Sequence, residues 1–259
     1  MTERVRIFGI DIDVLDRKEA VHKVCEWLKD GSRTCKYVVT PNVDHVVKLQ
    51  GSIEFRHAYA GASLVLADGR PVVASTRLFG SPLPETVPGS DLVPAIFDHV
   101  SDQWEREVSV YLLGAAQGVA ERAAQIIHSK WRRVSIVGTY SPPMGFQNDD
   151  NECAEICKRI AESGAELLVI GLGAPKQELW VCQYSSKLPV KVALCVGATI
   201  DFLAGEKARA PSWMRRAGLE WLHRMASEPR RLAGRYMLDA AVFPFLVFRE
   251  WRSRRVGAK

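Results

Sequence analysis

The chain has 259 residues, of which 47% are hydrophobic and 25% are charged, an ordinary composition for a globular protein with a substantial core. Its six cysteines are scattered and several lie in apolar runs, which excludes a disulfide framework and favours a reducing, cytoplasmic location. The formal charge of +5 is mild, but residues 211–259 hold ten Arg and one Lys against four acidic residues. The basic excess therefore lies in this last segment, called the tail below.

Strand and helix patterns alternate along the chain before the tail. Residues 5–14 alternate between apolar and polar side chains and predict a strand, and Asp16 with Glu19 has the capping-box spacing for a helix that runs to Leu28. The order of elements predicts a largely parallel, Rossmann-like α/β sheet flanked by helices, with right-handed crossovers. The further predicted strands are 37–40, 63–67, 108–113, 134–137, 167–171 and 192–196, and the further helices include 71–79, 91–100, 119–130 and 152–163.

Four apolar runs of this pattern end abruptly in small or polar residues. The clusters that follow them are 40–42, 67–69, 171–178 and 197–201. Strands of a parallel sheet are buried on both faces and appear as continuous apolar runs, and ligands bind outside their carboxyl ends. The sequence therefore predicts that the polar chemistry of this protein lies at one edge of the sheet.

Asp68 ends the second of these runs and is followed by Gly69. A carboxylate at the mouth of the sheet, beside a glycine, is well placed to act as a general base. Spacing alone slightly favours the alternative, in which Asp68 caps the helix that begins near Pro71. Thr40 and Asn42 likewise offer a hydroxyl and an amide to a ligand, or cap the next helix.

Two glycine-containing turns suit a phosphate. Gly114 opens a small-residue turn, 114–118, between a strand and a helix amino end, although it lacks a full dinucleotide or P-loop pattern. The cluster 171–178 is more specific, because a glycine turn and a proline precede a cation, an amide and an acid. Lys176 is predicted to meet a diphosphate and Gln177 a base or sugar; the alternative is an exposed first helical turn.

Metal binding is not favoured. Asp11 and Asp13 alternate in the first predicted strand, but the flanking apolar residues place both acids on its polar face. Cys153 and Cys157 have the spacing of half a metal site, yet no second pair matches them. The histidines show no catalytic-triad pattern, and we expect no metal or other cofactor.

The tail predicts a basic, amphipathic helical appendage, residues 211–259, attached to an α/β core of residues 1–210. Apolar and aromatic side chains alternate with arginines there, which favours a surface that lies on an anionic membrane. The apolar stretch 236–248, interrupted by Pro244, is too short to span a bilayer. The alternatives are helices packed on the core with a solvated basic rim, or an interface between copies of the chain. No nucleic-acid-binding module accompanies the charge, so nucleic acid is not an expected partner.

Taken in order, these motifs resemble the WecG/TagA/CpsF family of glycosyltransferases, glycosyltransferase family 26. The similarity covers nearly the whole chain. The matching segments are 40–42, 67–69, 89–92, 171–178, 197–205, 209–211, 218–224 and 228–231.

The resemblance implies an inverting transferase that works without an essential metal. It would move a sugar from a UDP-sugar donor to a polyprenyl-diphosphate-linked saccharide acceptor in bacterial exopolysaccharide or envelope synthesis. By position, Asp68 matches the proposed catalytic base, with Thr40 and Asn42 nearby. Gln177 and Asp201 match residues that help to hold the nucleotide-sugar.

The resemblance also implies a role for the tail, which would dock on the cytoplasmic face of the membrane and complete the site. Arg215, Arg216 and Arg224 then become candidates for contact with the diphosphate. The sequence departs from the family pattern at Thr86, where many relatives carry an arginine, so the donor sugar does not follow from the resemblance.

Two other classes remain as alternatives. A dinucleotide-dependent oxidoreductase is disfavoured because its glycine fingerprint is missing. A catalytically silent, membrane-bound assembly factor would keep the fold and the tail but lose UDP binding.

Overall fold

The computed structural model describes residues 2–32 and 34–257, apart from the side chains of residues 212, 215, 216, 256 and 257. It contains a six-stranded parallel sheet flanked by helices and a long C-terminal helix, which confirms the predicted α/β class. The strands of this sheet are β3 Lys36–Val39, β4 Leu64–Val65, β5 Val108–Gly114, β6 Val134–Tyr140, β7 Leu167–Gly171 and β8 Val192–Cys195. Their spatial order is β4-β3-β8-β7-β5-β6.

Twelve α-helices are assigned within the described part of the chain. The helices before the tail are α1 Arg17–Lys29, α2 Val43–Gly51, α3 Ile53–Ala60, α4 Arg70–Leu78, α5 Gly89–Gln103, α6 Val119–Lys130, α7 Asp150–Ser163, α8 Lys176–Tyr184 and α9 Thr199–Leu203. Those of the tail are α10 Ser212–Ala217, α11 Glu220–Ser227 and α12 Pro229–Gly257. Two short 3₁₀ turns, Phe146–Asn148 and Ser185–Lys187, complete the helical elements.

The strands are buried on both faces because successive side chains point to opposite sides of the sheet. In β7, for example, Val169 packs into one hydrophobic cluster while Leu168 and Ile170 pack into the other. The helices cover both clusters, and this two-sided burial explains why the strands appear in the sequence as continuous apolar runs.

The first helix begins as its sequence predicts. The side chain of Asp16 accepts a hydrogen bond from the backbone N of Glu19, and the side chain of Glu19 accepts one from the backbone N of Asp16, each at 2.8 Å. This capping box satisfies two amide groups that would otherwise have no partner at the amino end of α1.

The prediction of a single strand at 5–14 is wrong. This segment is an antiparallel hairpin, with β1 Arg4–Ile7 and β2 Ile10–Asp13 joined at Phe8 and Gly9. Both joining residues have positive φ, 53° and 85°. Phe8 is apolar and buried, so its side chain hid the turn in the alternating pattern.

The placement of Asp13 on a polar strand face is also wrong. Asp13 is buried, and its carboxylate accepts hydrogen bonds from Thr2 Oγ1 at 2.5 Å, Arg4 Nε at 2.9 Å and the backbone N of Val65 at 2.8 Å. It therefore fastens the hairpin to β4. Asp11 does face outward and forms an ion pair with Arg6.

The tail turns at Gly218, between α10 and α11, and ends in α12, which continues through Pro244. One stripe of α12 packs on the core, with Leu232, Phe243 and Leu246 buried. The ring of Phe243 lies 5.5 Å from that of Phe8 in the hairpin turn. The opposite side of the helix leaves Met237, Leu238, Phe245 and Phe248 exposed. No helix in the described residues combines the length and the apolar character that crossing a membrane requires.

Candidate active site

The carboxyl ends of four neighbouring strands bring most of the predicted site residues to one edge. Asp68 follows β4, Thr40 and Asn42 follow β3, the turn at Gly197 follows β8, and Gln177 lies just beyond the turn after β7. Because these strands are parallel and adjacent, their polar ends lie side by side at the edge where α/β proteins bind ligands.

Asp68 is held at this edge by its backbone, whose N–H donates to Pro41 O at 2.8 Å. The helix that follows it, α4, has Gly69 at its N-cap, with φ of 105° and no side-chain capping bond in the described structure. The capping alternative for Asp68 is therefore wrong. Thr86 lies near the same place, because the next residue, Val87, donates its N–H to Ala67 O at 2.8 Å.

The pKa of Asp68 is raised from its usual 3.8 to about 7. Burial is the largest cause, and the carboxylate of Glu220 in the tail raises the pKa further. The guanidinium of Arg224, also in the tail, lowers the pKa. Asp91 raises it and Arg209 lowers it, each by a smaller amount. Asp68 thus titrates close to neutral pH, which is where a general base is most effective.

The two arginines that lower the pKa of Asp68 share one aromatic neighbour. The guanidinium carbons of Arg209 and Arg224 lie 5.8 and 5.9 Å from the ring centre of Phe202, which follows Asp201 in α9. Arg209 also forms an ion pair with Asp91 at 2.6 Å. The arrangement places positive charge from the tail beside the mouth of the sheet.

The bend of the tail lies against the start of α4. A Cβ on Gly218 would lie only 2.9 Å from Cδ of Arg70, two residues after Asp68. This close approach explains how Glu220 and Arg224, which follow the bend, reach the electrostatic environment of a residue far away in the sequence.

Thr40 and Asn42 are placed differently. The hydroxyl of Thr40 is buried and donates to Cys195 O at 3.2 Å, which links β3 to β8. The Oδ1 of Asn42 accepts from the backbone N of His45 at 3.3 Å, so Asn42 caps α2. The capping alternative is therefore observed for Asn42. Contact between its amide nitrogen and a ligand stays a prediction.

The segment 176–178 is not an exposed helical turn, and that alternative is wrong. Gln177 and Glu178 are 2% and 0% exposed. The Nε2 of Gln177 donates to Glu178 Oε1 at 2.7 Å, and its Oε1 accepts from the backbone N of Gly197 at 3.2 Å. Gln177 therefore connects the amino end of α8 to the turn after β8.

A buried polar cluster surrounds Glu178 that sequence reasoning missed. His45 Nδ1 lies 2.6 Å from the hydroxyl of Tyr59 and 3.9 Å from Glu178 Oε1. Burial raises the pKa of Glu178 to about 7 and lowers that of His45 to about 4. The three residues come from α8, α2 and α3, so spacing in the sequence gave no indication of the cluster.

The same face of α2 meets the tail. Lys48 donates to Asp44 Oδ2 at 2.7 Å and to Ala174 O at 3.2 Å, while Arg235 of α12 lies 3.9 Å from the same carboxylate. Asp239 of α12 is buried nearby, and burial, followed by the charge of Asp44, raises its pKa to about 6. Helix α2 is thus packed between α12 and the turn that precedes α8.

The remaining predicted residues lie farther along the edge or outside the described side chains. Lys176 is the first residue of α8 and is partly exposed, and Asp201 in α9 lies 3.7 Å from Lys207. Gly114 ends β5, four strand positions from β4, or about 19 Å at the usual strand spacing. The side chains of Arg215 and Arg216 lie outside the described residues.

Metal ligands are not clustered in the described ranges 2–32 and 34–257. No group of three or more His, Cys, Asp or Glu side chains there is placed to hold a metal ion. Asp11 and Asp13 are each engaged with an arginine, as described above.

The geometry can be compared with known proteins. A family model described as "Glycosyl transferase WecG/TagA/CpsF family" matches residues 5–257. The chain belongs to this family. The resemblance found in the motifs is thereby confirmed, and the chain is a glycosyltransferase.

Curated relatives within the WecG/TagA/CpsF family cover most of the chain. A protein of Staphylococcus aureus (strain MRSA252) is 28% identical over 236 residues, which are 89% of this chain and 87% of the relative. Proteins from strains MW2 and NCTC 8325 / PS 47 are each 27% identical over the same shares. All three are named N-acetylglucosaminyldiphosphoundecaprenol N-acetyl-beta-D-mannosaminyltransferase.

Proposed function

We propose that this glycosyltransferase moves a hexosyl or N-acetylhexosaminyl residue from a UDP-sugar to a polyprenyl-diphosphate-linked saccharide, with inversion, in envelope polysaccharide synthesis. The observation that carries the proposal is the partly buried Asp68 at the carboxyl edge, with a pKa near 7 that is influenced by Arg224 of the tail and by Arg209. The names of the Staphylococcus aureus relatives favour an N-acetylhexosaminyl residue and an acceptor with an undecaprenyl diphosphate.

Asp68 acts as the general base in this proposal. Its ionised carboxylate removes the proton from the acceptor hydroxyl while that oxygen attacks the anomeric carbon of the donor sugar. UDP departs from the opposite face, so a single displacement inverts the anomeric configuration. The raised pKa supports the role, because a base that titrates near neutral pH binds the proton more strongly than an ordinary aspartate would.

Charge on the two diphosphates is met by cations. We assign Arg224, together with Arg215 and Arg216, to diphosphate contact at the tail side of the carboxyl edge. Lys176 is assigned to the departing nucleotide diphosphate, where a fixed cation stabilises the charge that develops as the bond to the sugar breaks. Asp201 and Gln177 complete the donor side.

The tail is proposed to lie on the cytoplasmic face of the membrane, where a lipid-linked acceptor is found. Met237, Leu238, Phe245 and Phe248 leave an apolar strip exposed on α12, and Arg249 and Arg252 are exposed beside its end. Exposed apolar groups that insert shallowly and arginines that meet anionic headgroups are the two contributions that hold an amphipathic helix at an interface.

The proposal is tested by titrating the purified protein with UDP in a calorimeter, with ADP and NAD as comparison ligands. Selective UDP binding is the expected result. Turnover is then measured with UDP-N-acetylmannosamine, UDP-N-acetylglucosamine and UDP-glucose against lipid-linked N-acetylglucosamine diphosphate. Preference for ADP or NAD, or no transfer of any UDP-sugar in the presence of anionic vesicles, would refute the proposal.

A further inference from the structure

Glu178 is a buried acid for which the proposed chemistry has no use. It is 0% exposed, and among the described residues its Oε2 has no hydrogen-bond partner. Its Oε1 accepts from Gln177 Nε2 at 2.7 Å. Burying a carboxylate is costly unless hydrogen bonds or opposite charges compensate for its lost hydration. The hydrogen bond from Gln177 therefore needs a structural explanation.

The reason lies at the other end of the Gln177 amide. Its Oε1 accepts from the backbone N–H of Gly197 at 3.2 Å. A glutamine amide can rotate by half a turn, which would present an NH₂ group to that N–H and break the bond. A carboxylate oxygen that accepts from Nε2 prevents the rotation, so Glu178 selects the orientation that holds Gly197.

The bond to Gly197 joins two turns that are already in close contact. A Cβ on Gly171, at the end of β7, would lie 2.9 Å from Gly197 O and 3.0 Å from Ile200 Cδ1. Lys176 precedes Gln177 on one side of this junction, and Asp201 follows Gly197 on the other. The relative position of these two donor-side residues therefore depends on how the turns are held.

We propose that Glu178 is a positioning residue that orients the Gln177 amide, fixes the Gly197 turn against the start of α8, and so shapes the donor-sugar side of the site. This inference rests on the proposed function. Asp68 follows β4, which is separated from β8 by β3. Disturbing Glu178 should therefore weaken donor binding more than it slows the chemical step.

Three variants and one control test this. Glu178→Met keeps the length of the side chain but removes the acceptor, while Glu178→Gln keeps an acceptor oxygen. The exchanged pair Gln177→Glu with Glu178→Gln reverses the roles, because a carboxylate at position 177 accepts from both Gly197 N–H and the new amide. Glu162→Met is the control, on an exposed position of α7.

The first readout needs no substrate: hydrogen–deuterium exchange of the Gly197 amide, resolved by NMR. We expect faster exchange in Glu178→Met and wild-type exchange in Glu178→Gln, in the exchanged pair and in the control. Glu178→Met should also raise the donor KM roughly three- to tenfold, the loss of about one hydrogen bond, with kcat changed much less.

Each outcome decides the inference. Unchanged Gly197 exchange in Glu178→Met would overturn the inference. A fall in kcat by the same factor as the rise in donor KM would also overturn it. If the exchanged pair protects Gly197 but loses donor binding, the positioning role is supported, because the proposed function already places the Gln177 side chain on the donor side. Should Glu178→Met fail to fold, the exchanged pair decides: Gly197 exchange as slow as in wild type supports the inference, and faster exchange overturns it. An inactive wild-type protein would instead refute the proposed function. The exchange measurement does not depend on that function, because it needs no substrate.

Discussion

Gly171 and Gly197 meet backbone to backbone, since a Cβ on Gly171 would lie 2.9 Å from the carbonyl oxygen of Gly197. A methyl group at position 171 must therefore push apart the turns after β7 and β8. We expect Gly171→Ala to lower the free energy of unfolding by about 1–3 kcal/mol, the usual cost of overpacking, and to weaken UDP binding. Urea denaturation and calorimetry measure the two effects.

The control for this substitution is Gly234→Ala. Gly234 lies in α12, and a Cβ there would meet nothing within 4 Å. Alanine should raise stability by about 0.5–1 kcal/mol because it favours the helix, without changing UDP binding. Equal stability of Gly171→Ala and wild type would show that the two turns can separate at no cost.

Asp68→Asn should retain UDP binding but lose roughly 10²- to 10⁴-fold in turnover, the usual contribution of a general base. The wild-type rate should rise with pH through about 7, because only the ionised carboxylate accepts the proton. Initial rates of both proteins between pH 5.5 and 8.5 measure the loss of turnover and the pH dependence. Below the pKa, the wild-type rate should change roughly tenfold per pH unit. A variant that keeps a near wild-type rate would remove Asp68 from the role.

The same carboxylate makes a prediction for stability. The pKa of Asp68 is raised in the folded state, from 3.8 to about 7, so folding favours the protonated form. Its stabilising contribution is complete below pH 3.8 and is lost as the pH rises through about 7. Asp68→Asn should therefore lose less stability than wild type between pH 5 and 8, as measured by urea midpoints at each pH.

Glu220 and Arg224 should shift the rate profile in opposite directions. The carboxylate of Glu220 raises the pKa of Asp68 and the guanidinium of Arg224 lowers it. Glu220→Gln should therefore move the midpoint of the pH–rate profile down, and Arg224→Gln should move it up and also lower turnover. Arg230→Gln, at an exposed position in the first turn of α12, is the control. Shifts of the same sign in both variants would contradict this electrostatic account.

Removing apolar groups from the exposed side of α12 should weaken membrane binding. Phe245 and Phe248 are 62% and 55% exposed, so Phe245→Ser with Phe248→Ser should leave the fold intact. We expect co-sedimentation with vesicles rich in phosphatidylglycerol to fall several-fold, since each buried aromatic ring contributes about 1.5–3 kcal/mol. Ile53→Ser, at a 72% exposed position on α3, is the matched control and should bind as wild type does.

The sheet was predictable from sequence because its strands obey a simple rule. Runs such as 167–171 and 192–196 are buried on both faces, and the polar residues that follow them lie at one edge. The capping box at Asp16 was equally clear, because a cap depends on residues three apart. Local features of this kind depend only on residues that are close together in the sequence.

The parts that failed depend on distant contacts. The Phe8 turn was hidden because its apolar side chain packs against Phe243 from the tail. The burial of Asp13 depends on partners in β1 and β4, and that of Glu178 on partners from α2 and α3. Periodicity describes which face of an element is apolar but not which buried polar groups find a partner there.

The residues proposed to bind the donor and those proposed to serve the acceptor lie in separate segments of the sequence. Lys176, Gln177, Glu178 and Asp201 all lie within one continuous stretch, 171–201, between the end of β7 and α9. Asp68 and the tail lie outside it. A recombination event that replaces this one stretch would therefore exchange the donor side as a unit while leaving the base and the lipid-facing helix as they are.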